Sequence, residues 1–208
     1  MSGELSSGLR APVERAISML VQGGLVVFPT DTVYGLGACA DNEQAVAKVY
    51  LVKERPMSMA LPLLLANTMQ IKEVARSVPP IAWRLIERFM PGSLTVVLYK
   101  AEAVLDAVAG GGDTVAVRIP AHPIPLTLAE RVGPIVGTSA NLTGEPSPLT
   151  ADEVRSQLRD SIDMVVDGGS CPGGRESTVI DATSDMAVIL REGPISREVL
   201  KEVCPEIR

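Results

Sequence analysis

The run Leu25-Val26-Val27-Phe28 is apolar at every position, fenced by Gly23-Gly24 before it and Pro29 after it. A short β-rich run with no polar face predicts a buried strand. Upstream, Val13, Ile17, Leu20 and Val21 recur at helical spacing with Glu14 and Arg15 outside the stripe, which predicts a helix over 12–22 ended by the glycine pair. Downstream, Asp41 followed three residues later by Gln44 has the form of a capped start, for a helix through Tyr50 with Ala45, Val46 and Val49 buried. Further strands are predicted at 61–66, 94–99, 114–119, 134–138, 164–166, 178–181 and 188–190. Helices are predicted at 68–75 and 80–89, at 150–159 with Thr150 and Glu153 as a capping box, and from Ser196 toward Val203. This alternation predicts an α/β fold on a mixed sheet. No repeat, linker or low-complexity stretch divides it, and Gly110-Gly111-Gly112 reads as a turn.

Composition narrows the picture. A chain of 208 residues, 46% apolar, is long enough for one sizeable core and favours one domain. With six aromatic residues that core is aliphatic. The net charge of −6 gives no general attraction to phosphate backbones, and few aromatics leave little for base stacking, so bulk RNA binding is disfavoured. Residues 1–10 lack the basic start and apolar run of a signal peptide, and no stretch reaches membrane-spanning length, so a soluble cytoplasmic protein is expected. Cys39, Cys171 and Cys204 are odd in number and widely spaced, pointing to neither a disulfide framework nor a zinc site. His122 is the only histidine, so histidine-based metal clusters are excluded and no nucleophile for it stands nearby. The metal chemistry that remains is Mg²⁺ held largely by substrate phosphates.

The candidate chemistry starts at the end of the first strand. Pro29-Thr30-Asp31-Thr32-Val33-Tyr34-Gly35-Leu36-Gly37 sets three hydroxyls, a carboxylate and two glycines behind an apolar run. In open α/β sheets ligands bind beyond the carboxyl ends of strands, and Gly35 and Gly37 would let backbone N–H groups approach a ligand. A plain strand-to-helix loop is the alternative. Gly169 to Glu176 puts Arg175 and Glu176 where a Walker A loop needs lysine and a hydroxyl, so there is no P-loop. Gly35-Leu36-Gly37 does not sit tight enough against the strand for a dinucleotide fingerprint.

Five more polar clusters follow apolar runs. Lys53-Glu54-Arg55-Pro56 places two cations at a helix end, where both can point into a crevice or simply be solvated. Arg118 lies within Val115-Ala116-Val117-Arg118-Ile119 and needs an anionic partner or a carboxylate ligand. Thr138-Ser139-Ala140-Asn141 adds hydroxyls and an amide, and Glu176-Ser177-Thr178 and Arg191-Glu192-Gly193 repeat the pattern. Together they suit a ligand with phosphates, a carboxylate and an amine, such as a nucleotide plus an amino acid.

These residues resemble the YrdC-like family, the threonylcarbamoyl-AMP synthases also called TsaC. The matching motifs, in the family's order, are the 29–37 stretch, Lys53-Glu54-Arg55-Pro56, Pro91-Gly92-Ser93-Leu94-Thr95, Val117-Arg118-Ile119-Pro120, Ser139-Ala140-Asn141 with Gly144 and Pro146-Ser147-Pro148, and Ser177-Thr178-Val179. The resemblance covers about residues 12 to 200. It implies an open twisted α/β sheet with flanking helices around a positively charged central cavity. The implied domain is 12–208, after a short extension at 1–11 and without the additional C-terminal domain of longer relatives. The implied reaction joins L-threonine, bicarbonate or CO₂ and Mg²⁺-ATP into threonylcarbamoyl-AMP and pyrophosphate. That adenylate feeds the N6-threonylcarbamoyl modification of adenosine 37 in ANN-decoding tRNAs, through a TsaD-type transferase.

By the same resemblance, Thr32, Arg118, Ser139 and Ser177 contact L-threonine, with Arg118 on its carboxylate. Lys53, Arg55, Thr114, Asn141, Ser147 and Arg191 face ATP, Lys53 and Arg55 being the catalytic cations, and Thr30, Asp31 and Tyr34 support the loop. No metal ligand is implied. Met59 and Leu64 stand where some relatives carry asparagine and histidine. The alternatives are a non-catalytic double-stranded RNA or tRNA-binding module, and a carbamoyl-adenylate synthase like the related domain of hydrogenase-maturation proteins, whose zinc-finger and acylphosphatase-like segments are not seen here. Replacing Lys53 or Arg55 by alanine is expected to reduce pyrophosphate release and leave the fold intact.

Overall fold

The computed structural model describes residues 5–208. Nine strands are present among them: β1 (Val26–Phe28), β2 (Gly35–Cys39), β3 (Leu63–Leu64), β4 (Leu94–Tyr99), β5 (Thr114–Arg118), β6 (Ile135–Ser139), β7 (Met164–Val165), β8 (Thr178–Asp181) and β9 (Val188–Arg191). They form one mixed sheet in the order β7-β1-β2-β6-β3-β5-β4-β8-β9. The pairs β1/β7, β3/β5 and β4/β8 are parallel and the others antiparallel.

The helices are α1 (Ser7–Val21), α2 (Glu43–Val52), α3 (Thr68–Val74), α4 (Pro80–Phe89), α5 (Asp106–Ala109), α6 (Pro123–Val132), α7 (Ala151–Leu158) and α8 (Arg197–Val203). None is long and apolar enough to cross a membrane among the described residues. α1 begins at Ser7, earlier than the expected 12, so residues 7–11 belong to the first helix. It ends where expected, because Gly23 takes a φ of +77° that the reversal after the last turn requires. The cap of α2 is Asn42, not Asp41: its side chain accepts from the Ala45 N–H at 3.0 Å. Thr150 and Ser196 cap α7 and α8 as expected. His122 caps α6, its Nδ1 accepting from the Ile124 N–H at 3.3 Å, which gives the lone histidine a structural task.

Alternate strand residues feed two separate cores. Val27, Leu36, Ala38, Leu63, Val96, Val117, Val136 and Ile180 point to a face covered by α2, α3, α4, α5, α7 and α8. Val26, Phe28, Leu64 and Ile135 point to the opposite face, under α1 and α6. This second layer stops at β3. The residues of β5, β4 and β8 on that side, Ala116, Arg118, Thr95 and Val179, line a cavity instead.

β2 is the element the sequence concealed, because the stretch expected as a glycine-bearing loop is a fully buried strand. Gly37 lies opposite Gly137 on β6. A Cβ at Gly37 would fall 2.7 Å from the Phe28 ring and 2.9 Å from Ile135, so this glycine makes room for a neighbouring ring rather than for a ligand. Gly37→Ala is therefore expected to destabilise the chain by about 1–3 kcal/mol. Gly8→Ala, in α1 with open space around it, should stabilise by about 0.5–1 kcal/mol. Urea midpoints at unchanged slope would measure both.

Candidate functional site

The cavity, about 310 Å³, opens where the α1/α6 layer ends. Its floor is the exposed face of β5, β4 and β8, and its walls are the Thr30–Val33 loop, the end of β6, the 55–62 segment, and Glu176 with Arg191.

The loop after β1 is held by its own hydroxyls. Thr30 Oγ1 donates to the Val33 carbonyl at 2.7 Å and accepts from the Thr32 N–H at 3.0 Å. Thr30 and Thr32 are both buried. Tyr34 lies in the core beneath them, its hydroxyl donating to the Gly169 carbonyl at 2.8 Å. Burial pushes that phenol up to about 12.

Arg118 finds its anion in Asp31, 87 residues earlier. Nη2 donates to Asp31 Oδ1 at 2.7 Å, Nη1 to Thr32 Oγ1 at 3.0 Å and Nε to the Gly92 carbonyl at 2.9 Å. The two charged side chains are 8% and 16% exposed, so the pair is largely desolvated. Asp31 also accepts from the Ala121 N–H at 3.1 Å. Arg118 thus closes the first loop onto the end of β5 while keeping a face on the cavity.

Lys53 departs from its expected exposure. It is the C-cap of α2, and Glu54 then takes a φ of +50° that turns the chain sharply. The Lys53 side chain is 2% exposed, and Nζ donates to the carbonyls of Ser139 and Asn141, the latter at 2.7 Å. Its own carbonyl accepts from the Thr143 hydroxyl at 2.7 Å. Burial, with Arg55 nearby, lowers the ammonium to about 8 against a smaller opposing effect of Glu176. Lys53 therefore stands behind the cavity wall as a clamp on 139–143. Arg55 does line the cavity, donating to the Ala60 carbonyl at 2.8 Å and the Met59 carbonyl at 3.2 Å.

Ser139 and Ser177 line the cavity, and Ser177 Oγ shares a 2.8 Å hydrogen bond with Thr95, on the floor. Arg191 lines it too, donating through Nε and Nη2 to the Ser177 carbonyl and through Nη1 to Glu176. Besides Lys53, three more expected residues stand off. Thr114 shares the sheet face of Ala116 and Arg118 but lies at the far end of β5. Ser147 reaches inward only through Glu176 Oε1 at 3.0 Å. Asn141 is 6% exposed, its Nδ2 donating to the Leu142 and Glu145 carbonyls, while Oδ1 is buried without a partner.

Glu176 is the residue sequence reasoning left without a task. It is the one carboxylate lining a cavity that three arginines also line. Burial raises its pKa, yet Arg191, the Ser139 and Ser147 hydroxyls and Lys53 outweigh that and hold the carboxyl below its usual range. Its place in the Glu176-Ser177-Thr178 cluster was the only local signal. Among the described residues no three of His, Cys, Asp and Glu gather as a metal site, and all three cysteines are buried and free.

Residues 18–193 match the Sua5/YciO/YrdC family profile, described as telomere recombination. The chain is 44% identical over 194 residues to a threonylcarbamoyl-AMP synthase of Pyrococcus abyssi, covering 93% of this chain and 57% of that protein. It is 42% identical to a threonylcarbamoyl-AMP synthase of Bacillus subtilis, covering 92% of this chain and 56% of that one. The crystal structure of P. abyssi Sua5 complexed with L-threonine superposes with a TM-score of 0.91 at 44% identity, covering 94% of this chain and 58% of that chain. The chain thus spans somewhat over half the length of these relatives.

Proposed function

The chain belongs to the Sua5/YciO/YrdC family, and from that premise we propose that it is an L-threonylcarbamoyladenylate synthase, a nucleotidyltransferase that makes threonylcarbamoyl-AMP and pyrophosphate from L-threonine, bicarbonate or CO₂ and ATP. The observation that carries this reading is one cavity in which Thr32, Arg118, Ser139 and Ser177 meet Arg55 and Arg191. Hydroxyls around an arginine suit a hydroxy-amino acid, and two further arginines suit a polyphosphate.

The amino acid lies, in this reading, between the first loop and β6. The two N–H groups that Arg118 has not committed receive its carboxylate, and the hydroxyls of Thr32, Ser139 and Ser177 receive its polar groups. Once its amine is carboxylated, the carbamate oxygen attacks the α-phosphorus and pyrophosphate leaves. The attacking group comes from the substrate, so the protein's work is to hold two anionic reactants together against their repulsion. Arg55 and Arg191 neutralise the polyphosphate, and Lys53 keeps the Ser139–Asn141 turn in place. Thr114, Asn141 and Ser147 serve the nucleotide from outside the present cavity lining, Asn141 keeping a buried Oδ1 acceptor without a partner. Mg²⁺ comes with the triphosphate as part of the substrate. We assign the described residues from α1 onward to a single catalytic domain, which starts earlier than the expected 12 because α1 begins at Ser7, and place the protein in the cytoplasm, with a TsaD-type transferase receiving the adenylate.

The test is pyrophosphate release from ATP, Mg²⁺ and bicarbonate with L-threonine, with L-serine and with no amino acid, the adenylate being followed by mass spectrometry. Threonine-dependent release with a threonylcarbamoyl-AMP mass is the expected result. Release indifferent to the amino acid, or ATP binding without turnover, would overturn the assignment.

A further inference from the structure

The groups proposed to receive ligands already converge on an anion supplied by the chain. Glu176 accepts from Ser147 at 3.0 Å through one carboxylate oxygen and from Arg191 through the other. Ser139 and Arg55 line the same cavity, and the Glu176 charge opposes the lowering of the Lys53 and Arg55 pKa by burial. A carboxylate bonded by one hydroxyl and one arginine, in a cavity that Ser139 and Arg55 also line, stands where a bound phosphate group would find the same donors.

The backbone beneath it is fixed: a Cβ at Gly193 would fall 2.5 Å from the Glu176 carbonyl oxygen, so the turn that follows β9 is packed tightly against it. The side chain is freer. In the Glu176–Arg191 pair the acid is 36% exposed and the arginine 46%, open enough for water to compete with the pair.

We propose that Glu176 is an internal anion that fills the phosphate position of the unliganded cavity and is exchanged for the phosphates of ATP on binding. It therefore sets nucleotide affinity, keeping Arg191 extended toward the cavity at the expense of tight ATP binding. This rests on the reading of Arg55 and Arg191 as nucleotide-facing. Like charge facing the incoming phosphate weakens binding, so removing it strengthens binding even if Arg191 becomes less ordered.

The experiment is calorimetric titration of ATP, with and without Mg²⁺, into the parent chain, Glu176→Gln, Arg191→Gln and the double variant, with KM for ATP and kcat measured alongside. Glutamine keeps the side-chain volume and an acceptor for Ser147. The expected result is roughly tenfold tighter ATP binding by Glu176→Gln, a gain carried by metal-free ATP as well. KM for ATP falls with it, and the gain shrinks in the Arg191→Gln background. Unchanged or weaker binding by Glu176→Gln overturns the exchange, and weakening confined to Mg²⁺-ATP makes Glu176 a ligand of the substrate's metal instead. A parent chain that binds no ATP overturns the functional reading and this inference together. If Glu176→Gln fails to fold by circular dichroism, Glu176→Ala is measured in its place under the same criteria.

Discussion

Arg118→Ala is expected to lose about 3–5 kcal/mol of folding stability, the range for breaking one side of a buried ion pair. The loss is large because three nitrogens of this guanidinium hold Gly92, Thr32 and Asp31 at once. Without it Asp31 remains largely buried with only the Ala121 N–H as a partner. Any protein that still folds should need at least about thirtyfold more threonine, since truncating one member of a buried charge pair removes 2 kcal/mol or more of binding. Arg118→Lys keeps the charge but not the fork, so an intermediate loss is expected. Denaturant unfolding and threonine saturation together make the check. A variant as stable as the parent would refute the structural role, and an effect confined to ATP saturation would reverse the proposed orientation of the two substrates.

The second large effect is expected at Lys53. Solvated at a helix end, its loss would spare the fold, but the ammonium is 2% exposed and bonded to two carbonyls. Lys53→Met should therefore cost about 2–5 kcal/mol, from leaving two buried acceptors without a donor. Turnover should fall with it, through disorder of the turn that carries Ser139. A pH series separates this from a surface charge effect. The folded group titrates near 8, below its ordinary 10.5, so the folded chain binds fewer protons between those values. Stability contributed by this residue rises with pH across that window. The parent should gain stability relative to Lys53→Met between pH 8 and 10.5, and parallel curves would show that the ammonium is not buried in solution.

What the sequence revealed tracks the range over which each signal acts. Helices α3 and α4 and strands β4 and β8 fall within a residue or so of their expected bounds, because aliphatic spacing and caps are local properties. β2 escaped because Gly-Leu-Gly-Ala-Cys has no side-chain alternation to read; its glycines answer to Phe28, which is packed against them from the neighbouring strand. The need of Arg118 for an anion was legible, since an arginine inside an apolar strand cannot stay unpaired. Its partner Asp31 was not, being a matter of topology. Lys53 shows the same limit: sequence gives its charge, while burial depends on the left-handed turn at Glu54. The tie between Ser147 and Glu176, 29 residues apart, was beyond local reading for the same reason.

The end of one helical layer at β3 also fixes how distances across the cavity are set. Arg118, Thr95, Val179 and Arg191 stand on β5, β4, β8 and β9, four successive strands, and Val179 pairs directly with Arg191. Their separations are multiples of the strand repeat, roughly 4.8 Å for each step. From the arginine that answers Asp31 to the one that answers Glu176 is about three steps, on the order of 14 Å of hydrogen-bonded backbone. The floor thus acts as a ruler whose graduations are peptide groups. Side-chain changes alter what stands at each mark, and only a change in strand order or register could move the marks themselves.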